Sequence, residues 1–556
     1  MTKQRAPAGA DPGETGAPPA AGTAVSALGR RTGLGARVLA STPAAWLAVA
    51  ALLTVAANHV IARRPFDGES HSWVSAHFGT MARAFVERGV LPLRMIPIQN
   101  NPPLGNEPDA YTHWPPLFPI LLSGAFRAFE ESEAVARGVM LVIAAASCVA
   151  LSALVRACAG PRAGLLAAFG VLVTPVFIAS GNTVSHLPLA TLFLTLAVLG
   201  FVRATEGERL GRGWATFGAA AMALAVLSSW EPLLGTAGLW LASFWVGSRN
   251  GRRLAFLYGA IGAMVAGAVV ANSAQAYPFL FEDLWRTVMF RSGLGYASQN
   301  HVPVHTLVNL VTYGHEPSLP MVAARLVRRA LALGEIPLVA LVGVLIGAIV
   351  AERAGVSKLR LLLGGLLVPW LLWEVLMSHH AYYHGYEMLL AVPAAAATLG
   401  VGLSAAAAFF TRAKDPTLNA MRWVPLLAVP TVLLIAAGLA WQTAIQAGSA
   451  RTGLLEYARE IQEATEPSAV VLTPEKSMVP VYYARRHLIR GIRDDRRVDE
   501  SLQSMNGVFP GSPVYLALHP DRLTGFTRTL ALYPVWKAST HVLLLALSGE
   551  RAGFGS

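Results

Sequence analysis

Two carboxylates, Asp67 and Glu69, stand in the polar run Arg63-Arg-Pro-Phe-Asp-Gly-Glu-Ser-His that follows the first apolar segment. Held partly desolvated at a membrane surface, such a group takes the proton of an attacking alcohol or amine, general-base work worth about two to four powers of ten in rate. The spacing alone equally suits a solvated loop pair, and perturbed carboxylates are the minority. Further along, Tyr111-Thr-His-Trp-Pro-Pro-Leu-Phe-Pro brings Tyr111, His113 and Trp114 together. A third cluster, Ser378-His-His-Ala-Tyr-Tyr-His-Gly-Tyr-Glu, carries His379, His380, Tyr382 and His384. Aromatic and imidazole groups of this kind bind a ligand or sit in the interfacial belt of a membrane protein. His379, His380 and His384 suit metal binding by residue type, but the stretch offers no regular helix to set histidines at i, i+4 and no carboxylate geometry to complete a site. We therefore assign no metal ligands. A Walker lysine loop, a strand-borne Gly-x-Gly-x-x-Gly and a Gly-x-Ser-x-Gly elbow are all missing from the sequence, so nucleotide-driven and serine-hydrolase chemistry lack support.

The elements that position these residues are apolar. Of 556 residues, 54% are hydrophobic and only 14% charged, far below the charged quarter of a soluble domain. The sequence predicts an α-helical polytopic membrane protein of about eleven transmembrane helices, with a small extracytoplasmic α/β domain at its C-terminus. After a first helix near residue 43, apolar segments fall near 135–155, 163–179, 187–202, 214–227, 232–246, 254–274, 336–351, 360–376, 388–410 and 423–442. Those at 214 and 232 are short and also fit one re-entrant hairpin. The net charge of +12 sits in short loops between these segments, where it sets orientation. Nucleic acid is excluded as a partner on that ground. Cys148 and Cys158 are the only cysteines; they support neither a disulfide framework nor a thiolate metal site.

Alternate loops split by charge. Arg156 with Arg162, Arg203 with Arg209 and Arg212, Arg249 with Arg252 and Arg253, Arg353 with Lys358 and Arg360, and Arg412 with Lys414 and Arg422 mark one side. The loops 180–186, 228–231 and 378–387 carry no Lys or Arg. The positive-inside rule makes the first set cytoplasmic. Residues 1–40, rich in Ala, Gly and Pro, read as a disordered cytoplasmic tail. Residues 41–446 form the transmembrane domain, with external loops at 63–134 and 275–334, and 447–556 the extracytoplasmic domain. Its β-like runs are Ala469-Val-Val-Leu-Thr, Pro513-Val-Tyr-Leu-Ala-Leu and His541-Val-Leu-Leu-Leu-Ala-Leu. The run 115–126, too short and proline-rich to span, reads as a helix on the outer surface.

In order and sidedness these pieces resemble the membrane-embedded GT-C glycosyltransferases, especially the bacterial protein O-mannosyltransferase and lipid A aminoarabinose transferase group. The carriers are Asp67-Gly-Glu69 outside the first helix, a helix through Met81-Ala-Arg-Ala-Phe, the Tyr111-Thr-His-Trp-Pro-Pro-Leu run, the tight loop before Leu187-Pro, the Ser229-Trp-Glu-Pro tip and Tyr382-Tyr-His-Gly-Tyr. Together with the outer α/β tail they cover most of residues 40–550. The resemblance implies inverting transfer of a sugar from a polyprenyl-phosphate donor to an extracytoplasmic glycolipid, cell-envelope glycan or protein, at the plasma membrane, with membrane lipids around it. It implies Asp67 as base, Glu69 as neighbouring candidate, no obligatory cofactor, and a divalent metal as an option. Where relatives commonly carry an acidic residue the chain has Ser185-His186; histidine there hydrogen-bonds an acceptor or acts as a base without supplying fixed negative charge. The tip where relatives often show a lysine reads Ser229-Trp-Glu231, so the donor phosphate needs other cations: Arg286 and Arg291, assisted by His113 and His384. Those arginines also suit snorkelling to lipid headgroups. Two rival classes are a transporter or channel for lipid-linked glycans, which should show ionisable residues in mid-span or paired broken helices, and a pseudoenzyme that binds lipid-linked sugar.

Overall fold

The computed structural model describes residues 43–56, 64–67, 72–100, 110–292, 356–377, 380, 384–412, nine positions between 427 and 438, 453–505 and 511–548. The expected tail at 1–40 and the segment 336–351 lie outside the described residues, as does most of 423–442.

The chain begins with α1 (Pro43–Ala56), then α2 (Ser72–Arg88) and α3 (Leu117–Phe129). A bundle follows: α4 (Glu133–Ala159), α5 (Pro161–Val173), α6 (Pro175–Ser180), α7 (Leu187–Ala204), α8 (Arg212–Ser228), α9 (Pro232–Trp245) and α10 (Arg249–Ala276). Then come α11 (Leu280–Ser292), α12 (Val356–Leu376) and α13 (Val392–Arg412), the last preceded by a 3-10 turn, Gly385–Leu390. Among the described residues, four helices (α4, α7, α10 and residues 358–376 of α12) are long and apolar enough to cross a membrane.

Local chemistry explains the breaks. Ser132 caps α4 by accepting from the Val135 amide at 3.2 Å, and Gly160, with φ +91°, ends it directly before Pro161 opens α5. The apolar stretch read as 163–179 is two helices, because Pro175 forces Thr174 into extended backbone (ψ 122°). The segments near 214 and 232 are separate helices: α8 packs on α7, while α9 packs on α10 and α12. Small residues permit the α9–α12 approach, since a Cβ on Gly238 would lie 2.0 Å from the Gly364 carbonyl oxygen. At one end of the bundle Lys358 Nζ meets Glu206 Oε1 at 2.8 Å and the Ala157 carbonyl at 3.5 Å. These belong to loops the charge pattern grouped together. The loops without Lys or Arg meet at the other end, as described below.

Residues 453–548 form a mixed α/β unit. It comprises α14 (Leu454–Ala464), β1 (Val470–Thr473), α15 (Val479–Ala484), β2 (His487–Arg490), α16 (Asp495–Met505), β3 (Val514–Leu518), α17 (Thr527–Leu532), β4 (Val535–Ala538) and β5 (Leu543–Ser548). The sheet order is β2-β1-β3-β5-β4, with β1 parallel to both β2 and β3, and β5 antiparallel to β3 and β4. β1 and β3 are buried throughout, which is why they read as unbroken apolar runs. Tyr457 of α14 reaches across the sheet, its hydroxyl 2.7 Å from Thr473 Oγ1 and donating to the Ala517 carbonyl at 2.8 Å.

This unit clasps α2. Arg83 is 3% exposed and donates to the Tyr482 carbonyl at 2.8 Å and to Glu131 at 2.9 Å, with its guanidinium 4.5 Å from the Tyr482 ring centre. Asn100 makes both bonds of a strand partner with Leu488, at 2.9 and 3.2 Å. A Cβ on Gly79 would stand 2.7 Å from Tyr482 Cε2. Gly79→Val is therefore expected to cost about 1–3 kcal/mol and to loosen the clasp, read as faster limited proteolysis between α13 and α14. Unchanged proteolysis would mean the α2 contact does not hold the unit in place.

Candidate active site

Residues 110–116 enter the site as an irregular stretch bent at His113–Trp114: the Tyr111 amide donates to the Pro97 carbonyl at 2.7 Å, and Pro115-Pro116 then delivers the chain into α3. The loop before α7 is held against α2 by the Val184 amide, which donates to Ser75 Oγ at 3.1 Å. His186 follows at the N-terminus of α7.

These pieces converge. The Trp114 indole stacks on the His186 imidazole, centroids 4.4 Å apart and planes 30° apart, and lies 5.8 Å from Trp373 and 6.2 Å from His380. His380 is 4.3 Å from His384, and His384 is 5.5 Å from Trp73. On the other flank Tyr111 meets His77 at 4.5 Å and His113 at 5.1 Å. Arg291 of α11 holds its guanidinium 5.0 Å from the Trp114 ring centre and hydrogen-bonds Tyr111. Trp230 Nε1 donates to the His113 carbonyl at 2.8 Å, tying in the 229–231 tip. Tyr111, His113, Trp114, His186, His380, His384 and Arg291, far apart in sequence, form one belt of rings with a cation over it.

Three buried carboxylates join it. Asp283 accepts from Thr112 Oγ1 at 3.2 Å and sits 3.4 Å from His113 Nε2, which also meets Thr287 Oγ1 at 3.2 Å. Glu387 accepts from Trp373 Nε1 at 3.1 Å and pairs with His380. Glu231 bonds Ser229, and burial pushes its carboxyl up to about 7, with the Glu387 charge adding to the rise and Ser229 opposing it. A carboxylate there exchanges its proton near neutral pH.

His77 and His186 are held down to about 3, chiefly by burial, with Arg490 and His113 contributing at His77 and Arg291 at His186. Both are neutral at pH 7. His77 Nε2, His186 Nδ1 and Ser185 Oγ have no hydrogen-bond partner among the described residues. Buried polar atoms in that state require water or ligand hydroxyls. The pH consequence has a definite sign. Between about 6.5 and 3 the unfolded chain binds protons at these histidines and the native state does not, so their effect on stability worsens as pH falls. Each costs up to about 1.4 kcal/mol per pH unit in that window. Between 4.5 and about 7 Glu231 acts oppositely, because there the native state holds the extra proton. Relative to wild type, His186→Asn should gain apparent melting temperature from pH 7 to pH 5, and Glu231→Gln should lose it. Parallel curves for all three proteins would refute the assignment.

Asp67 is buried at 3% exposure, and its Oδ2 accepts from the Leu455 amide at 3.3 Å, in the first turn of α14. The neighbouring Phe66 amide donates to the Tyr483 hydroxyl at 2.7 Å. The carboxylate is thus set in place by the α/β unit. Arg286, by contrast, pairs with the exposed Glu282 one turn earlier on α11. Glu69, His379 and Tyr382 lie outside the described residues. Among those described, no group of three His, Cys, Asp or Glu side chains is placed to hold a metal ion. Sequence reasoning missed His77, Asp283 and Glu387, and it singled out Glu231 in the 229–231 tip without giving it a role. An apolar cavity lies between α1, α4 and α5–α6, lined by Leu53, Met140, Ala144, Leu172 and Phe177, with Asn182, in the loop that leads to His186, on its wall.

Residues 113–272 match the family model of dolichyl-phosphate-mannose-protein mannosyltransferases. No curated protein matches the chain in sequence. In structure the chain is similar to ArnT from Cupriavidus metallidurans bound to undecaprenyl phosphate, with a TM-score of 0.58 and 14% identity, covering 91% of this chain and 98% of that one. It is also similar to the oligosaccharyltransferase AglB from Archaeoglobus fulgidus in complex with an inhibitory peptide and a dolichol-phosphate, with a TM-score of 0.55 and 13% identity, over 86% of this chain and 69% of that one. These relatives share the GT-C glycosyltransferase fold, and the chain has it too.

Proposed function

We propose, on the premise of this GT-C fold and of the mannosyltransferase match over residues 113–272, that the protein is a membrane glycosyltransferase. It transfers a sugar from a polyprenyl-phosphate donor to an extracytoplasmic acceptor, whether glycolipid, cell-envelope glycan or protein. The observation that carries this reading is the convergence on Trp114. His186, His380 and Arg291, from three separate segments, surround one indole at the bundle end opposite the basic loops.

In the proposed reaction the acceptor hydroxyl oxygen attacks the anomeric carbon and its proton passes to Asp67. The bond from that carbon to the phosphate oxygen breaks, and polyprenyl phosphate leaves with the electron pair. Arg291 offsets the charge that grows on the departing phosphate. Neutral His77 and His186 accept hydrogen bonds from sugar hydroxyls, which the aromatic belt orients. The prenyl chain lies in the apolar cavity beside α1 and α4. The donor arrives activated, so no nucleotide is consumed. Glu69, Tyr382 and His384 complete the proposed site. About eleven spans, with the N-terminus cytoplasmic, place the α/β unit and the site outside the plasma membrane.

The bond between Asp67 and the Leu455 amide favours a second reading, in which Asp67 only tethers the α/β unit and the protein binds lipid-linked sugar without transferring it. Turnover of labelled polyprenyl-phosphate sugars by purified protein separates the two. Product formation supports the enzyme; donor binding with no product under any acceptor supports the pseudoenzyme.

A further inference from the structure

The α/β unit carries basic residues where a sheet of this kind gathers ligands. β1, β2 and β3 are parallel, and the chain leaves β1 toward β2 on one side but leaves β3 toward β4, beyond β5, on the other. The carboxyl ends of β1 and β3 therefore flank a topological switch point, the usual place of a ligand crevice in parallel sheets. Four cations stand at the carboxyl ends of the three parallel strands: Lys476 after β1, Arg490 and Arg493 at and after β2, and Arg522 after β3. Arg490 Nη1 donates to the Lys476 carbonyl at 2.8 Å, and Arg522 meets Glu475 at 3.0 Å across the switch point. The acids nearby are engaged: Glu475 with Arg522, Asp494 with the Arg497 amide at 2.9 Å, and Asp521 with His519 at 3.4 Å.

We infer that this crevice binds an anionic group, a phosphate or carboxylate, carried by the acceptor. The assignment to an acceptor rests on the glycosyltransferase reading above; the anion site itself does not. Arginine forks match the oxygens of such groups in pairs, and a lysine adds a point charge. Burial, together with Arg493 and Arg522, holds the Lys476 ammonium below its usual range, a repulsion that a bound anion relieves. Arg490 also lies within electrostatic range of His77, so the crevice adjoins the catalytic belt. That adjacency favours a transfer substrate over a lipid headgroup as the source of the anion.

The test uses full-length protein in phosphatidylcholine nanodiscs, with inorganic pyrophosphate as the probe in calorimetric titration. Single-site binding is expected, weakened at least about tenfold by Lys476→Gln and by Arg522→Gln, retained in Lys476→Arg, and retained in Arg291→Gln, which removes the cation of the catalytic belt. Absence of binding, or binding lost in Arg291→Gln and untouched by the crevice variants, overturns the inference. Replacing part of the phosphatidylcholine by phosphatidylglycerol provides the other arm. Unchanged pyrophosphate affinity keeps the site for a soluble or acceptor-borne anion, and its loss gives the site to headgroups and overturns the acceptor assignment. Because no turnover is measured, a protein that transfers no sugar can still pass.

Discussion

Asp67→Asn is expected to lower sugar transfer by about two to four powers of ten, the range over which a positioned general base acts, with little change in apparent melting temperature. The substitution suits the question because the carboxylate has two roles to separate. Its Oδ2 accepts from the Leu455 amide at the start of α14, and an asparagine carbonyl oxygen keeps that bond while removing the proton acceptor. A tether alone would leave transfer within a few-fold of wild type. Asp67→Ala removes both roles, and should lose activity and also loosen the α/β unit. The comparison of Asn with Ala thus reports the catalytic and the structural contribution separately.

Arg291→Gln is expected to cost about two to three powers of ten in kcat/KM for the lipid donor, as loss of one aimed charge from a buried site does. Arg286→Gln on the same helix should change it by less than a few-fold. The contrast follows from where each guanidinium goes: Arg291 over the Trp114 ring and onto Tyr111, Arg286 onto Glu282 at the surface. A pair of headgroup anchors would instead respond alike, and would respond to membrane composition more than to donor concentration. Equal losses in the two variants would refute the role given to Arg291.

The rings of the site were legible because apolar segments frame them: Tyr111, His113 and Trp114, then His186, then His380 and His384 each interrupt or cap a hydrophobic run. What the sequence does not show is their pairing. Asp283 finds Thr112 and His113 from a helix some 170 residues away. Likewise His77 reads as an ordinary polar position of α2, and it is buried, with Ser75, Thr80, Arg83 and the rest of Val74 to Phe85, because neighbouring segments and the α/β unit cover that helix. In the fold, the runs at 469, 513 and 541 became β1, β3 and β5, since strands covered on both faces stay apolar throughout. The flanking strands were not seen: His487-Leu-Ile-Arg is four residues of mixed polarity, and β4 is largely exposed. The break at Thr174-Pro175 was readable from proline alone and was passed over within a long apolar run.

The central claim is that this belt of rings and charges transfers sugar from a lipid phosphate. Its most direct test is the appearance of labelled product when purified wild-type protein in liposomes meets a panel of labelled polyprenyl-phosphate sugars and candidate acceptors, with Asp67→Asn alongside. The account predicts product from at least one donor with wild type and a loss of at least a hundredfold in the variant. Equal product from both proteins, or donor binding without product across the whole panel, would contradict it.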